Sequence, residues 1–385
     1  MTLGVYIQVP FCQTKCTYCN FHTGVVSHER YEPYADAVCR EIEKARTPEA
    51  AAVDTIYFGG GTPSLLDATA LARMIDSVGR AFAVAREPEM TLEADPETIT
   101  IEKALAWREA GFNRISLGVQ SFHNGELKAA GRMHRREDIY RATDLLRQAG
   151  LKNISMDLIA GLPHQTRDSW QSSIGELIAL RPEHVSIYML EIDEGSRLGR
   201  EALGGGTRYS AAAIPSDDEI AEFYESACEW LAAGGYDHYE ISNWALPGFR
   251  SRHNLKYWRR EPYLGFGAGA HSFDGTMRWA NVHDAAKYVT CIEQGISPRE
   301  QMETLTPQQA LEEEFFAGLR QLDGIDLARI ESVYGSNGLR DRVAWLRERI
   351  EGLRQQGLVE VDGARLRLAP DRLTVSNEVF VALLE

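Results

Sequence analysis

VYIQVPFCQTKCTYCNFHT, residues 5–23, joins an apolar strand to a C-x3-C-x2-C run, and that union of sheet and reactive loop decides the fold. Cys12, Cys16 and Cys19 are three of the chain's six cysteines. Thiolates this close suit an iron–sulfur cluster, but a [4Fe-4S] cluster normally takes four cysteines, so one iron is left open. The competing reading is a structural Cys3His zinc site with His22 as the fourth ligand. Zinc modules usually draw on two separated Cys/His pairs, whereas Cys39, Cys228 and Cys291 stand alone and read as small buried hydrophobes.

Outward from the cysteines, the strand Gly4–Val9 is the first of six apolar runs, followed by Val53–Phe58, Met90–Glu93, Arg114–Val119, Ile154–Ile159 and His184–Leu190. Each leads into a helix candidate: Arg30–Lys44, Ala68–Phe82, Ile101–Ala110, Arg136–Gln148, Asp168–Ala179 and Asp217–Ala233. Six successive βα units predict an α/β fold with a parallel, barrel-like sheet. In such folds functional groups collect at the C-terminal ends of the strands. The Cys loop, GGGTP, the acids of LEADPE, QSF and Asp157 all fall there.

Gly59, Gly60 and Gly61 lack the G-K-[ST] of a P-loop and read as backbone that meets a small ligand. Of Glu93 and Asp95, in a strand ended by Pro96, only Glu93 is expected to face the interior, available to a hydroxyl or ammonium. Gln120 and Arg132 bracket the segment after the fourth strand, and Asp157 interrupts an apolar one. A carboxylate there needs a ligand or a structural arginine. Gly265–Gly269 (GFGAG) has no clear strand before it and lacks the dinucleotide spacing, so a close-packed turn is expected, with His271 structural. An open iron can chelate the amino and carboxylate groups of S-adenosylmethionine. An electron from the reduced cluster then breaks a C–S bond to give the 5′-deoxyadenosyl radical, chemistry that belongs to the cofactor.

With 385 residues, 44% hydrophobic and 25% charged, the chain reads as one large or two ordinary globular domains. No apolar run approaches the ~18 residues of a membrane span, and the residues before Cys12 read as a strand rather than a secretory signal. A cytoplasmic, reducing location is expected, with peripheral membrane contact left open. A net charge of −15 argues against nucleic-acid binding.

From Tyr6 through Pro163, the motifs Y-x-x-x-P-F-C-x3-C-x2-C, GGGTP, LEADPE, SLGVQSF, GR and MDLIAGLP resemble the radical S-adenosylmethionine enzymes of the coproporphyrinogen III dehydrogenase group. The resemblance implies a partial TIM-type (β/α)6 barrel and a [4Fe-4S] cluster on Cys12, Cys16 and Cys19. It also implies S-adenosylmethionine near Tyr6, Gly60, Gly61, Thr62, Glu93, Gln120, Arg132 and Asp157. Dehydrogenases of this type carry C-x3-C-x2-C-x-C and an extension ahead of it. Here Phe21 fills the fourth cysteine's place and the extension is lacking, departures that point to the group's heme-chaperone branch. That branch's H-N-x-x-Y-W motif implies heme contact by His253, Asn254, Tyr257 and Trp258. His253 is then the candidate axial ligand, and Arg250, Arg252, Arg259 and Arg260 are candidate partners for the propionates. The expected function is to bind heme and transfer it to respiratory heme proteins. The alternative is radical oxidative decarboxylation of coproporphyrinogen III to protoporphyrinogen IX.

Beyond Thr306 the pattern changes to helices Pro307–Leu319, Leu327–Val333 and Leu339–Gln356, a hairpin of Leu358–Val361 and Arg365–Leu368, and a last helix through Phe380. This predicts a winged-helix-like α+β domain. Arg340, Arg342, Arg347, Arg349 and Arg354 are interleaved with Asp341, Glu348 and Glu351, which reads as a salt-bridged face rather than a DNA-binding one. The expected division is barrel 1–235, an extension 236–300 carrying the heme segment, and a C-terminal domain 301–385.

Overall fold

The computed structural model describes residues 2–45, 51–336 and 338–384. Its centre is a run of parallel neighbours: β1 Thr2–Val9, β2 Ala52–Gly60, β3 Val84–Ala94, β4 Arg114–Gln120, β5 Asn153–Ala160 and β6 His184–Met189. Strand periodicity explains the layering. In β1, Leu3, Val5, Ile7 and Val9 are buried on one face, and the alternate residues Tyr6 and Gln8 lie on the other with Tyr57 and Glu93. Helices Tyr31–Lys44, Ala68–Ala81, Ile101–Glu109, Arg136–Gln148, Arg167–Leu180 and Asp217–Ala233 follow the strands as expected, each within a residue or so of its predicted bounds.

The sheet does not close on itself. Past β6 it continues through β8 and β7 (β7 Asp237–Glu240, β8 Asn243–Ala245). Past β1 come β9 Tyr263–Phe266, parallel to β1, then β10 His271–Phe273, β11 Met277–Asn281 and β12 Arg299–Thr304. A strand does therefore lead into GFGAG, contrary to expectation. The segment is nonetheless a close-packed turn, because a Cβ on Gly267 (φ +98°) would sit 2.6 Å from both the Gln8 carbonyl and the Tyr34 hydroxyl.

Between β8 and β9, helix Arg252–Trp258 crosses the N-terminal end of the barrel. Glu89 of β3 accepts the backbone N–H groups of Arg252 (3.1 Å) and His253 (3.0 Å). The buried Lys256 ammonium meets Asp54 of β2 (2.8 Å), Glu261 (3.0 Å) and the Thr2 hydroxyl of β1 (2.9 Å). Arg114 of β4 donates to the Phe249 carbonyl at 3.1 Å. A buried cation held by two carboxylates fixes where this helix docks.

The C-terminal part has the expected winged-helix-like character. Helices Pro307–Gly318, Leu327–Gly335, Arg340–Gln355 and Ser376–Leu384 pack on a sheet in which β15 Arg365–Leu368 lies between β13 Ile325–Asp326 and β14 Val359–Asp362. Arg342, Arg347 and Arg354 pair with Glu312, Glu331 and Glu351, so part of the arginine-rich face is ion-paired as expected. Backbone bonds Ile241 N–H to Arg320 O (3.0 Å) and Leu322 N–H to Tyr239 O (3.1 Å) tie this part to the barrel edge. Among the described residues no helix is long and apolar enough to cross a membrane.

Candidate functional site

The Cys loop leaves the C-terminal end of β1 and is clamped from three sides. The N–H groups of Gly61 and Thr62 donate to the Val9 and Phe11 carbonyls (2.8 and 2.7 Å), Thr17 N–H donates to Ala130 O (2.9 Å), and Cys12 N–H donates to Gly24 O (3.1 Å). Cys12, Cys16 and Cys19 are free thiols. Cys19 interacts electrostatically with both other cysteines, and burial pushes the Cys12 and Cys19 thiols up. Among the described residues no three His, Cys, Asp or Glu side chains converge on one metal ion. His22 packs on the His283 ring at 4.2 Å instead of joining the cysteines. Three cysteines on one loop, with His22 turned to His283, fit a cluster that leaves one iron without a protein ligand. The Arg132 guanidinium donates to Cys16 Sγ at 3.6 Å, which ties this arginine to the Cys loop.

Next to the cysteines, Glu93 of β3 and Asp95 just past its end form two linked sets. Glu93 accepts the Tyr57 hydroxyl at 2.8 Å and the Gly60 N–H at 3.0 Å. Burial, with Asp157 nearby, pushes its carboxyl up to about 7. Asp95 pairs with Arg132 and accepts the Thr62 hydroxyl at 3.0 Å, while Arg132 also donates to the Gly118 carbonyl at 2.9 Å. The expectation that only Glu93 faces inward is corrected: residues two apart in a strand share a face, and Asp95 belongs to the site. That spacing was the signal that should have found it. Among the described residues Asp157 has no arginine ion pair; it accepts the hydroxyls of Ser116 (3.1 Å) and Ser155 (3.4 Å), and burial raises its carboxyl. Tyr6 donates to Gln8 at 2.7 Å and stacks on Tyr57. Gln120 ends β4 at φ +65°, an uncommon backbone for a non-glycine residue.

The glycines carry a packing role. Gly60 spends its N–H on Glu93, and a Cβ on Gly61 would lie 2.5 Å from the Phe11 carbonyl oxygen. Their freedom seats the Cys loop against β2, with Thr62 carrying the link to Asp95.

Glu93 implies a pH dependence. Its folded carboxyl titrates near 7 against an ordinary 4.5, so the folded state holds the proton more tightly. The associated stability is complete below about 4.5, declines as pH rises, and levels off above about 7, a loss of about 3 kcal/mol. Ligand-free Glu93→Gln should therefore lose less melting temperature than wild type between about pH 5 and pH 8. Parallel losses in the two proteins would refute this.

The H-N-x-x-Y-W segment lies elsewhere. His253 is 1% exposed and both ring nitrogens are engaged, Nδ1 with the Thr55 hydroxyl (2.8 Å) and Nε2 with the Tyr257 hydroxyl (2.9 Å). Burial pushes its imidazole down to about 3, and its ring stacks on Tyr57 (5.1 Å) and Tyr6 (6.3 Å). Trp258 packs with Phe249 and Leu255, under the Arg320 guanidinium, and the Asn254 N–H donates to the N-cap Ser251 Oγ. His253, Tyr257 and Trp258 pack into the barrel floor. The expected propionate partners are engaged as well: Arg250 with Asp237 and Asp323, Arg252 with Asp54, Arg260 with Glu313, and Arg259 with Gln321. His253→Ala should cost about 3 kcal/mol, because it leaves a cavity and strands two buried hydroxyls. An unshifted urea midpoint would show that the floor does not depend on this ring.

An open parallel barrel with three free thiols after β1 and buried acids across its C-terminal end defines a class. Residues 6–177 match the family model of the Radical SAM superfamily, and residues 305–371 match the HemN C-terminal domain. The fold resembles that of coproporphyrinogen III oxidase (HemN) from Escherichia coli, with a TM-score of 0.84 at 22% identity over 99% of this chain and 90% of that one. The protein is a radical SAM superfamily member, which implies a [4Fe-4S] cluster and S-adenosylmethionine. It is 34% identical to the heme chaperone HemW of Bacillus subtilis over 99% of both chains, and 36% identical to that of Escherichia coli over 70% of this chain and 69% of that one. The chain belongs to the HemW family of heme chaperones.

Proposed function

We propose that this chain binds heme and hands it to heme proteins of respiration, in the reducing cytoplasm. The observation that carries the reading is the end-to-end match to HemW of Bacillus subtilis, 34% identity over 99% of each chain. The likeness to coproporphyrinogen III oxidase, at 22% identity, speaks for the fold alone. Phe21 adds support: it is 65% exposed beside the Cys loop and has no group that can bind iron. Free thiols at all six cysteines suit a reducing compartment.

Cys12, Cys16 and Cys19 would hold the cluster, and the groups around Tyr6, Gly60, Gly61, Thr62, Glu93, Gln120, Arg132 and Asp157 would hold S-adenosylmethionine. Bound together, the two supply reductive cleavage of a sulfonium C–S bond. The chain's own residues prepare the ground. Glu93, held by Tyr57 and Gly60, offers a buried carboxylate to an ammonium, and Arg132 balances Asp95 while steadying the Cys16 loop. His253, Asn254, Tyr257 and Trp258 contribute by keeping the barrel floor beneath Tyr6 and Tyr57.

The test is an anaerobic assay of reconstituted protein with reductant and S-adenosylmethionine, offered coproporphyrinogen III or heme. Heme uptake without vinyl formation is expected. Turnover to protoporphyrinogen IX would overturn the proposal.

A further inference from the structure

The chain's ten histidines fall into distinct groups. His134, His184, His238 and His253 are packed inside with ring nitrogens hydrogen-bonded to Val119 O, to Ser155 and Tyr239, to Ile241 O, and to Thr55 and Tyr257. Such rings have no free lone pair for a metal without breaking the core. His22 and His283 contrast with them. Their rings lie 4.2 Å apart, and among the described residues neither makes a hydrogen bond and His283 Nδ1 is buried without a partner. His271 lies near both rings. Rings in this arrangement do not converge on a single ion, since no three-ligand set exists among the described residues. A metal that asks the protein for only one or two imidazoles remains open to them.

The His22–His283 pair borders a cavity of about 680 Å³ between the end of the Cys loop and helix Ala285–Glu293. That is ample space for a porphyrin-sized ligand. Phe11, Val26, Pro33 and Val289 make its wall largely apolar, as a macrocycle requires. Arg30, on the rim, has no ion pair among the described residues and offers a guanidinium to a carboxylate. Phe21 and Val25, on either side of the His22 to Gly24 stretch, are 65% and 59% exposed, an apolar edge with nothing packed on it. The wall also shares backbone with the cluster loop, through the Cys12 N–H to Gly24 O and Gly24 N–H to Pro10 O bonds at 3.1 and 2.9 Å.

We propose that this cavity is the heme site, with the His22–His283 pair supplying the axial iron ligand and Arg30 a propionate contact. The inference rests on the heme-chaperone reading and deepens it by placing the cargo against the outer side of the Cys loop, away from the barrel floor. Heme iron needs only one proximal imidazole, and neither ring here must give up a hydrogen bond to provide it.

Heme titration into the purified, cluster-loaded protein tests this, read by the Soret band and by competition for affinity. The His22→Ala, His283→Ala double variant is expected to shift the Soret band and bind at least tenfold more weakly, with added imidazole restoring the wild-type spectrum. Arg30→Ala is expected to weaken binding without moving the band. The far-ultraviolet circular dichroism and iron content serve as controls, because imidazole rescue cannot repair a misfolded chain. An unchanged band and affinity in the double variant, with the wild type binding heme, would overturn the site alone. A wild type that takes up no heme would overturn the chaperone reading itself.

Discussion

Gly61→Ala is expected to cut the iron and sulfide retained per chain about fivefold after gel filtration, equivalent to about 1 kcal/mol, although it touches no cysteine. The new Cβ would lie 2.5 Å from the Phe11 carbonyl oxygen and 2.9 Å from that residue's carbonyl carbon and nitrogen. These are backbone atoms, so no rotamer change relieves the overlap. The same carbonyl accepts the Thr62 N–H at 2.7 Å, and the next residue in the chain is Cys12. Overpacking a close contact of this kind typically costs about 1–3 kcal/mol, and here the loop gives way before β2 does. Gly79→Ala provides the control, because a Cβ there meets nothing within 4 Å. Wild-type loading of Gly61→Ala would show that the cluster loop is not seated on β2.

Arg132→Met is expected to be among the most damaging single changes in the barrel, at about 3–5 kcal/mol. The Arg132 side chain is 9% exposed and that of Asp95 22%, so removing the cation strands a largely buried carboxylate. The change also frees the Gly118 carbonyl and takes positive charge from beside Cys16. Pairing it with Asp95→Asn should recover a good part of the loss, since no orphaned charge then remains. Urea denaturation of the two single variants and the double variant measures the coupling. Strictly additive losses would mean that the pair does not act as a unit.

The legible part of this protein was the part written in long periodic runs. β1 through β6 and their helices emerge because apolar alternation over many residues outweighs local noise, and the Cys loop, GGGTP and LEADPE mark their C-terminal ends. The extension strands β7 to β12 were invisible: most are three to five residues long, too short for a period to register. Asp95 was missed through a misjudged alternation, although its distance from Glu93 places it on the same face. H-N-x-x-Y-W marked residues that do cluster, but only the fold shows His253 sealed between Thr55 and Tyr257 and the neighbouring arginines held by acids. His22 and His283 come from opposite ends of the barrel sequence, and no spacing rule joins them before the sheet does.

The central claim is that this scaffold carries heme in order to give it away. The most direct test mixes heme-loaded, cluster-reconstituted protein with an apo-form respiratory heme protein under anaerobic conditions and follows the Soret bands of donor and acceptor. The account predicts that the donor band is lost as the acceptor band grows, faster than free heme alone fills the acceptor. Heme that stays on the donor, or transfer no faster than from free heme, would contradict it.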